Sequence, residues 1–359
     1  MRTTLGMTLG TTSETTLGAI LWTLLGAALG IVPRLIGPAC GGALALIGAV
    51  AAPLHDAAAQ SWPAKTIVAV IPFSAGNAND VVGRIVLDQL SRQLGQTIVV
   101  ENRAGAGGTT GVNSVAKAAP DGYTLLVHSS SFAASRAIYR TLPYDTLADF
   151  TAVVPLGLQP TVLVAAPSKG WKSLADLVAA ANTRPGAMNF ASAGVGSASH
   201  FAAERLRVAT RIDAQHIPFK GPNEALTEVM TGRIDFYFLP VAAAISLIND
   251  GKVLALAVST PKRATALPEV PTVTEAGFAD AGYQFWDGLF LPAKTPAGIV
   301  GKLHQETEKA LRVPAVQEKL AKVGVDPLTM STEQFQIYFR DDVIDTAKFA
   351  REAGIPQVD

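Results

Sequence analysis

Two short stretches have the residue types to hold an anion without a charged side chain. One is Phe73-Ser74-Ala75-Gly76-Asn77-Ala78-Asn79-Asp80. The other is Ser192-Ala193-Gly194-Val195-Gly196-Ser197-Ala198-Ser199-His200. Each is small and polar, contains glycine, and lacks lysine and arginine. Each leads from an apolar strand into a helix. A loop of this kind leaves the first N–H groups of the helix unpaired, and the helix dipole adds partial positive charge there, which suits a carboxylate. Phosphate fits the first loop less well. It has neither the Gly-Lys-Ser/Thr ending of a P-loop nor the glycine spacing of a dinucleotide site. The competing explanation is an ordinary strand-to-helix loop that needs small residues for geometry alone.

Other chemistry is weaker. Ser197 and His200 sit three residues apart, but no Gly-x-Ser-x-Gly elbow surrounds the serine and no carboxylate can be assigned to orient the histidine, so an exported esterase is the lesser reading. Ser129-Ser130-Ser131 could meet a ligand or simply cap the next helix. The glycines of Ala104 to Gly111 permit close backbone approach or a tight crossover. The five histidines (55, 128, 200, 216 and 304) show no metal-ligand spacing, and the single cysteine, Cys40, leaves no thiol, disulfide or cysteine metal site in the body of the chain. Neither a cofactor nor a metal is expected.

The elements that would position these loops alternate. Ile67 to Ile71 is a continuous apolar run, as in a strand buried on both faces. Pro72 ends it. Asn79 or Asp80 can cap the following helix, whose apolar positions Val82, Ile85, Val86, Leu90 and Leu94 keep helical spacing up to Gly95. Strands are expected at Thr97–Val100, Tyr123–His128, Pro160–Ala166, Met188–Ser192, Gln215–Phe219, Ile234–Leu239, Leu254–Val258 and Tyr283–Leu291. Thr141 to Phe150 reads as a loop that packs its aromatics. Ser173-Leu174-Ala175-Asp176 and Ser331-Thr332-Glu333-Gln334 are capping boxes, Asn223 is a cap, and Pro296 opens a helix. This order implies an α/β chain with largely parallel sheets. The alternation restarts near Pro160 and changes near Gly282, which suggests two lobes, the first completed by the C-terminal segment. Ligands in such sheets bind beyond the C-terminal strand ends, so loops 73–79 and 192–200 would face each other across a cleft.

Composition narrows the partners. The 359 residues are 49% hydrophobic, with a formal charge of +0. Arg2, Arg34, Glu14 and Asp56 balance within the first 59 residues, so the remainder is also neutral. A neutral body argues against nucleic acid. Residues 1–59 read as a leader: Ala39 to Ala52 is apolar after Arg34, and Ala57-Ala58-Ala59 precedes Gln60, a small-residue cleavage pattern of a secretory signal peptide. A second apolar stretch, Leu17 to Val32, fits either translation starting near Val32 or a long leader that anchors the chain. Gly37-Pro38-Ala39 lacks the leucine-type residue expected before a lipidated Cys40. Beyond residue 60 no apolar run is long enough to span a bilayer.

From Trp62 onward the chain resembles the periplasmic solute-binding proteins of tripartite tricarboxylate transporters, the Bug or TctC family. The resemblance is carried by Pro72-Phe73-Ser74-Ala75-Gly76 with Asp80; by Val100 to Gly108; by Ala119-Pro120-Asp121-Gly122-Tyr123-Thr124-Leu125-Leu126; by Leu142-Pro143-Tyr144-Asp145; by His216-Ile217-Pro218-Phe219-Lys220-Gly221; and by Gly251 to Val258 and Val270 to Gly277. It implies a type II, Venus-flytrap binding protein of two lobes and two interlobe crossovers. Residues 60–162 and 285–359 would form lobe 1, and residues 163–284 lobe 2. It further implies a periplasmic, non-enzymatic monomer that holds a small carboxylate and hands it to membrane permease subunits, or, alternatively, presents it to a membrane signalling partner. The ligand-binding residues implied are Phe73, Ser74, Ala75, Gly76, Asn77 and Asn79 from lobe 1. Lobe 2 would supply Ser192, Gly194, Gly196, Ser197 and His200. Ser129 would add a hydroxyl. Phe73 would supply an apolar wall, and Trp286 would either join that wall or pack the lobes near the hinge. Two departures stand out. The family often has Gly-Gly-x-Thr-Asp where this chain has Gly76-Asn77-Ala78-Asn79-Asp80. Many members carry an aspartate where Leu239 stands, which favours a ligand with a less polar distal part.

Overall fold

The computed structural model describes residues 62–219 and 221–359. The leader expected over residues 1–59, its cleavage after Ala59 and Cys40 lie outside the described residues. Among the described residues no helix is long and apolar enough to cross a membrane, and no group of three or more His, Cys, Asp or Glu could hold a metal ion.

Two five-stranded sheets organise the chain. In the first, β1 (Ile67–Ile71) pairs in parallel with β2 (Ile98–Asn102) and β3 (Thr124–Ser129). Next to β3 lies β10 (Trp286–Pro292), antiparallel, and then β4 (Phe150–Leu158), giving the order β2-β1-β3-β10-β4. In the second, β6 (Met188–Ser192) pairs in parallel with β7 (Ala214–Pro218) and β8 (Phe236–Pro240). Beside β8 lies β5 (Thr161–Ala165), antiparallel, and then β9 (Leu254–Val258), giving β7-β6-β8-β5-β9. The sheets are therefore mixed rather than largely parallel. In each, the fourth strand runs against its neighbours, and it is the strand that the chain enters on crossing from the other sheet.

The loop expected over Thr141 to Phe150 is present up to Asp149, but the nine-residue strand β4 that follows it is not among the expected strands. Pro155 hid it, because proline interrupts a strand pattern. The structure tolerates Pro155 because β4 is an edge strand, and the register with β10 shifts beside it, between Asp287 and Gly288. Strand β10 also starts at Trp286 rather than Tyr283.

Helices cover the sheets. α1 (Ala78–Leu94) follows β1 and buries Val82, Val86, Leu87 and Leu90 against the first sheet, each such side chain contributing about 1.5–3 kcal/mol. Gly95 ends it at φ +64°, in the left-handed region. α2 (Thr109–Ala116) and α3 (Ser131–Ile138) follow β2 and β3. In the second sheet α4 (Leu174–Thr183) starts from the Ser173–Asp176 capping box, and α5 (Ala198–Thr210), α6 (Pro222–Met230) and α7 (Val241–Asn249) follow β6, β7 and β8. The chain closes with α8 (Ala297–Leu311), α9 (Pro314–Lys322) and α10 (Thr332–Glu352), the last opened by its Ser331–Gln334 capping box. Asn223 does not cap α6. Pro222 occupies the first turn there, and Gly221 is the cap.

The link from β4 to β5 is only Gln159-Pro160. Gln159 N–H donates to the carbonyl of Phe285 at 2.6 Å, so the outgoing and returning crossovers are bonded to each other. α10 packs on β4 and α3, while its C-terminal turn reaches the second sheet's helices: Arg207 donates to the Ala353 carbonyl at 3.0 Å, and the Arg205 guanidinium lies 4.7 Å from the Phe349 ring centroid.

Candidate functional site

Between the two sheets lies a cavity of about 400 Å³. Five helices present their first turns to it. Asn77 to Asn79 come from the start of α1, Ser131 from α3, Ser197 to Ser199 from α5, Gly221 and Pro222 from α6, and Pro240 from α7. Among the described residues that line it, none is Lys, Arg, Asp, Glu or His. The rest of the wall is largely apolar, with Phe73, Ile138, Tyr139, Val195, Tyr237 and Phe285.

The two cradles share one local design. Gly76 and Gly196 both sit at φ +80°, where a β-carbon would be strained. The Gly76 N–H donates to Asp80 Oδ2 at 2.8 Å, and the Gly196 N–H donates to His200 Nδ1 at 3.2 Å. Asn77 Oδ1 accepts the Asp80 N–H at 2.9 Å, and Ser197 Oγ accepts the His200 N–H at 3.3 Å. Each loop is thus fixed by the helix that follows it, through a cap at the first position and an acceptor three residues later. The caps are Asn77 and Ser197, not Asn79 or Asp80.

Second-cradle packing is supported from behind by two histidines. His200 and His216 stack with ring centroids 4.0 Å apart. Ser192 Oγ lies 2.6 Å from His216 Nε2 and accepts the Gly194 N–H at 3.1 Å. Burial holds His200 down to about 3, with His216 and Arg207 adding to the effect, and burial alone holds His216 down to about 4. Both are neutral at ordinary pH, as the acceptor role of His200 Nδ1 requires.

Asp80, behind the first cradle, is buried. Burial pushes its carboxyl up, but hydrogen bonds from Arg84, Gly76 and Asn102 outweigh this and hold it below the usual carboxylate range. The Arg84 contact is an ion pair at 2.9 Å. Asn79, 3% exposed, donates its amide to Asp287 Oδ1 at 2.8 Å. Gln159 of the outgoing crossover donates to the other oxygen of Asp287. Burial alone pushes Asp287 up to about 6, against the pull of both amides.

The expected site residues divide accordingly. Phe73, Ser74, Asn77, Asn79, Ser129, Gly196 and Ser197 line the cavity. Ala75, Gly76, Ser192, Gly194 and His200 belong to the same loops without lining the cavity; Ser192 and His200 are buried beneath the second loop, while Ala75 and Gly76 are exposed. Trp286 does not reach the cavity. It is fully buried among Phe290, Phe335 and Phe339, with its Nε1 donating to Asp342 at 2.8 Å. Phe285, one residue earlier, takes the wall position. Leu239 packs in the core of the second sheet rather than facing the cavity. The lining residues that sequence reasoning missed include Ser199, Ser135, Thr161, Tyr139 and Tyr237. Ser199 had a signal, since it holds the place in the second loop that Asn79 holds in the first. Tyr139 had none.

The comparisons with known proteins agree with the two-sheet fold. The model of the tripartite tricarboxylate transporter family receptor, TctC, matches residues 82–355. The protein BugT of Bordetella pertussis is 34% identical over 307 residues, 85% of this chain and 93% of that protein. A UPF0065 protein from the tcbD-tcbE intergenic region of Pseudomonas sp. strain P51 is 36% identical over 267 residues, 74% of this chain and 80% of that protein. Among solved structures, Rpa4515 of R. palustris with adipate superposes with a TM-score of 0.75 at 30% identity, covering 83% of this chain and all of that one. MatC of Rhodopseudomonas palustris with bound malate gives 0.71 at 31% identity, over 80% of this chain and 99% of that one. The chain belongs to the TctC family of tripartite tricarboxylate transporter receptors, non-enzymatic solute-binding proteins with the two-lobed periplasmic binding fold.

Proposed function

We propose that this protein captures a small carboxylate in the cavity between its lobes and delivers it to the membrane permease subunits of a tripartite transporter. The observation that carries the reading is the convergence of five helix N-terminal turns on a cavity where none of the described lining residues is Lys, Arg, Asp, Glu or His. Each helix end contributes roughly half a positive charge, and together these ends attract an anion into the cavity. Phe73, Ser74, Asn77, Asn79, Ser129, Gly196 and Ser197 would touch the ligand. Ala75, Gly76, Ser192, Gly194 and His200 would hold the loops that do. The carbon skeleton would lie against the apolar wall. The solved relatives with adipate and malate make a carboxylate the ligand class of choice.

The working protein is a periplasmic monomer, exported through residues 1–59 and cleaved after Ala59. Lobe 1 comprises residues 60–162 and 285–359, and lobe 2 residues 163–284. Ligand binding favours the closed arrangement, which is the form the permease recognises.

Native mass spectrometry of the purified protein, followed by a thermal-shift series of mono-, di- and tricarboxylates and aromatic acids, tests the reading. A ligand that binds only the folded state at a hundred times its Kd stabilises it by about 2.7 kcal/mol. A saturable shift with at least one acid is expected. No shift with any acid would overturn the proposal.

A further inference from the structure

The two cradles match in backbone design but not in electrostatics. In the second, the residue that accepts the glycine N–H is the neutral His200, and the fourth position of the loop is the hydroxyl of Ser199. In the first, the acceptor is the Asp80 carboxylate, offset by its Arg84 partner. The fourth position is Asn79, and behind it stands a second carboxylate, Asp287, that is 0% exposed. The side-chain partners of Asp287 among the described residues are two neutral amides, Asn79 and Gln159. Among the described residues no cation offsets it.

An ionised carboxylate can only accept hydrogen bonds, so Asp287 fixes the orientation of the Asn79 amide. The nitrogen turns to Asp287. The oxygen is left over, and Asn79 Oδ1 is buried with no hydrogen-bond partner among the described residues. A buried acceptor without a donor is unfavourable and calls for a group that brings one. Asn79 lines the cavity, so a ligand seated there is a group that can bring it. A second ligand carboxylate at this place would meet the Asp287 charge and an acceptor oxygen, both unfavourable.

We propose that Asn79 and the buried Asp287 make the first cradle reject a second carboxylate, so that the ligand is a monocarboxylate seated on the second cradle, with a hydrogen-bond donor such as a hydroxyl or an ammonium group at its far end. The inference rests on the reading of this cavity as a carboxylate site and names which class of carboxylate enters it. Asp287 acts as a positioning residue, through Asn79, rather than as a ligand contact.

The test uses matched acids of three to eight carbons in three series: α,ω-diacids, ω-hydroxy acids and ω-amino acids. Affinities are measured by titration calorimetry on the purified protein freed of co-purified ligand. At the chain length that binds best, the hydroxy or amino acid is expected to bind at least about tenfold more tightly than the diacid. Asp287→Asn can donate to Asn79 Oδ1 and removes the charge, so this variant should shift the ratio at least about tenfold toward the diacid. Asn79→Ser restores at the first cradle the residue type of the second and should shift the ratio the same way, even if Asp287→Asn proves unstable. This selectivity ratio would not move if Asp287 served the fold alone. Diacids binding the unsubstituted protein as tightly as the other series would overturn the proposal. So would a preference for donor-bearing acids that persists unchanged in both variants. Binding of no acid in any series would instead overturn the reading of the cavity itself.

Discussion

Ser197→Asp is the most discriminating single change at the second cradle. The aspartate takes the cap position of α5, where it is at least as favourable as serine, and its charge complements the helix dipole by about 0.3–1 kcal/mol. Against this, the hydroxyl loses its 2.6 Å bond to the Gly194 carbonyl, worth about 1 kcal/mol. The two nearly cancel, so the unfolding free energy should change by no more than about 1 kcal/mol. Binding should respond quite differently. Ser197 lines the cavity, and a carboxylate in its place lies about 4 Å from a ligand carboxylate on the same helix end. Two like charges at that separation, with an effective dielectric of about 20, repel by about 4 kcal/mol, close to a thousandfold in Kd. Ser197→Asn keeps the cap and adds no charge, and is the control. Calorimetric titration of the best acid into both variants, with denaturant unfolding in parallel, reads the two effects separately. If Ser197→Asp binds within tenfold of Ser197→Asn, the ligand carboxylate is not held by the second cradle, and the argument from helix ends is wrong for this loop.

Other consequences follow from the same geometry. A β-carbon on Gly107 would lie 1.9 Å from the Tyr139 hydroxyl, at φ +61°. Gly107→Ala should therefore cost about 1–3 kcal/mol in denaturant unfolding, and a change below 0.5 kcal/mol would show that the loop relaxes freely. Trp286→Phe should leave the Kd within about threefold, because Trp286 does not reach the cavity, while unfolding stability falls by about 1–3 kcal/mol as Asp342 loses its indole donor. Phe285→Ala should weaken binding and also lower unfolding stability by about 3–5 kcal/mol, because Phe285 both lines the cavity and packs in the core. Acidification should destabilise the fold: burial holds His128 down to about 3, so the unfolded chain takes up a proton near pH 6.5 that the folded chain refuses. That contribution is present above pH 6.5 and is lost at about 1.4 kcal/mol per pH unit between 6.5 and about 3. Asp287 has the opposite sign, because its carboxyl is raised from 3.8 to about 6. The folded state gains on protonating it between about pH 6 and 4, so Asp287→Asn should lose stability relative to the unsubstituted protein as the pH falls through that window.

The cradles were legible because their signal is local. A buried strand, a run of small residues and a following amphipathic helix lie within about twenty residues, and the backbone geometry that matters is set by glycine and the cap. Cap identity was less legible: Asn77, Asn79 and Asp80 are all capping residue types, and only the path of the backbone decides that Asn77 does it. Trp286 and Phe285 show a different limit. Successive residues at the start of a strand point to opposite sides, so one position decides whether an aromatic ring faces the cleft or the core. Strand β4 was obscured by Pro155, whose penalty vanishes at a sheet edge that the sequence does not mark. The network of Asn79, Asp287 and Gln159 could not be read at all. Asn79 and Asp287 are 208 residues apart, and Gln159 and Asp287 are 128 apart.

On the proposed reading of the cavity, that network also ties binding to lobe movement. The two sheets have the same strand order, and in each the antiparallel fourth strand is the one reached by a crossover. Those strands, β10 and β5, run beside β3 and β8, whose C-terminal ends carry the cleft residues Ser129 and Pro240. Hinge and site are therefore neighbours by topology. Asp287 on β10 holds Asn79 of the first cradle and Gln159 of the outgoing crossover at once, and Thr161 on β5 bonds Ser259, just after β9, at 2.7 Å. A ligand that touches both cradles gains most when they face each other, and its free energy of binding to that arrangement is what shifts the lobes toward it. Because the same aspartate orients Asn79 and clasps the crossover, a ligand group bound to Asn79 bears directly on the hinge.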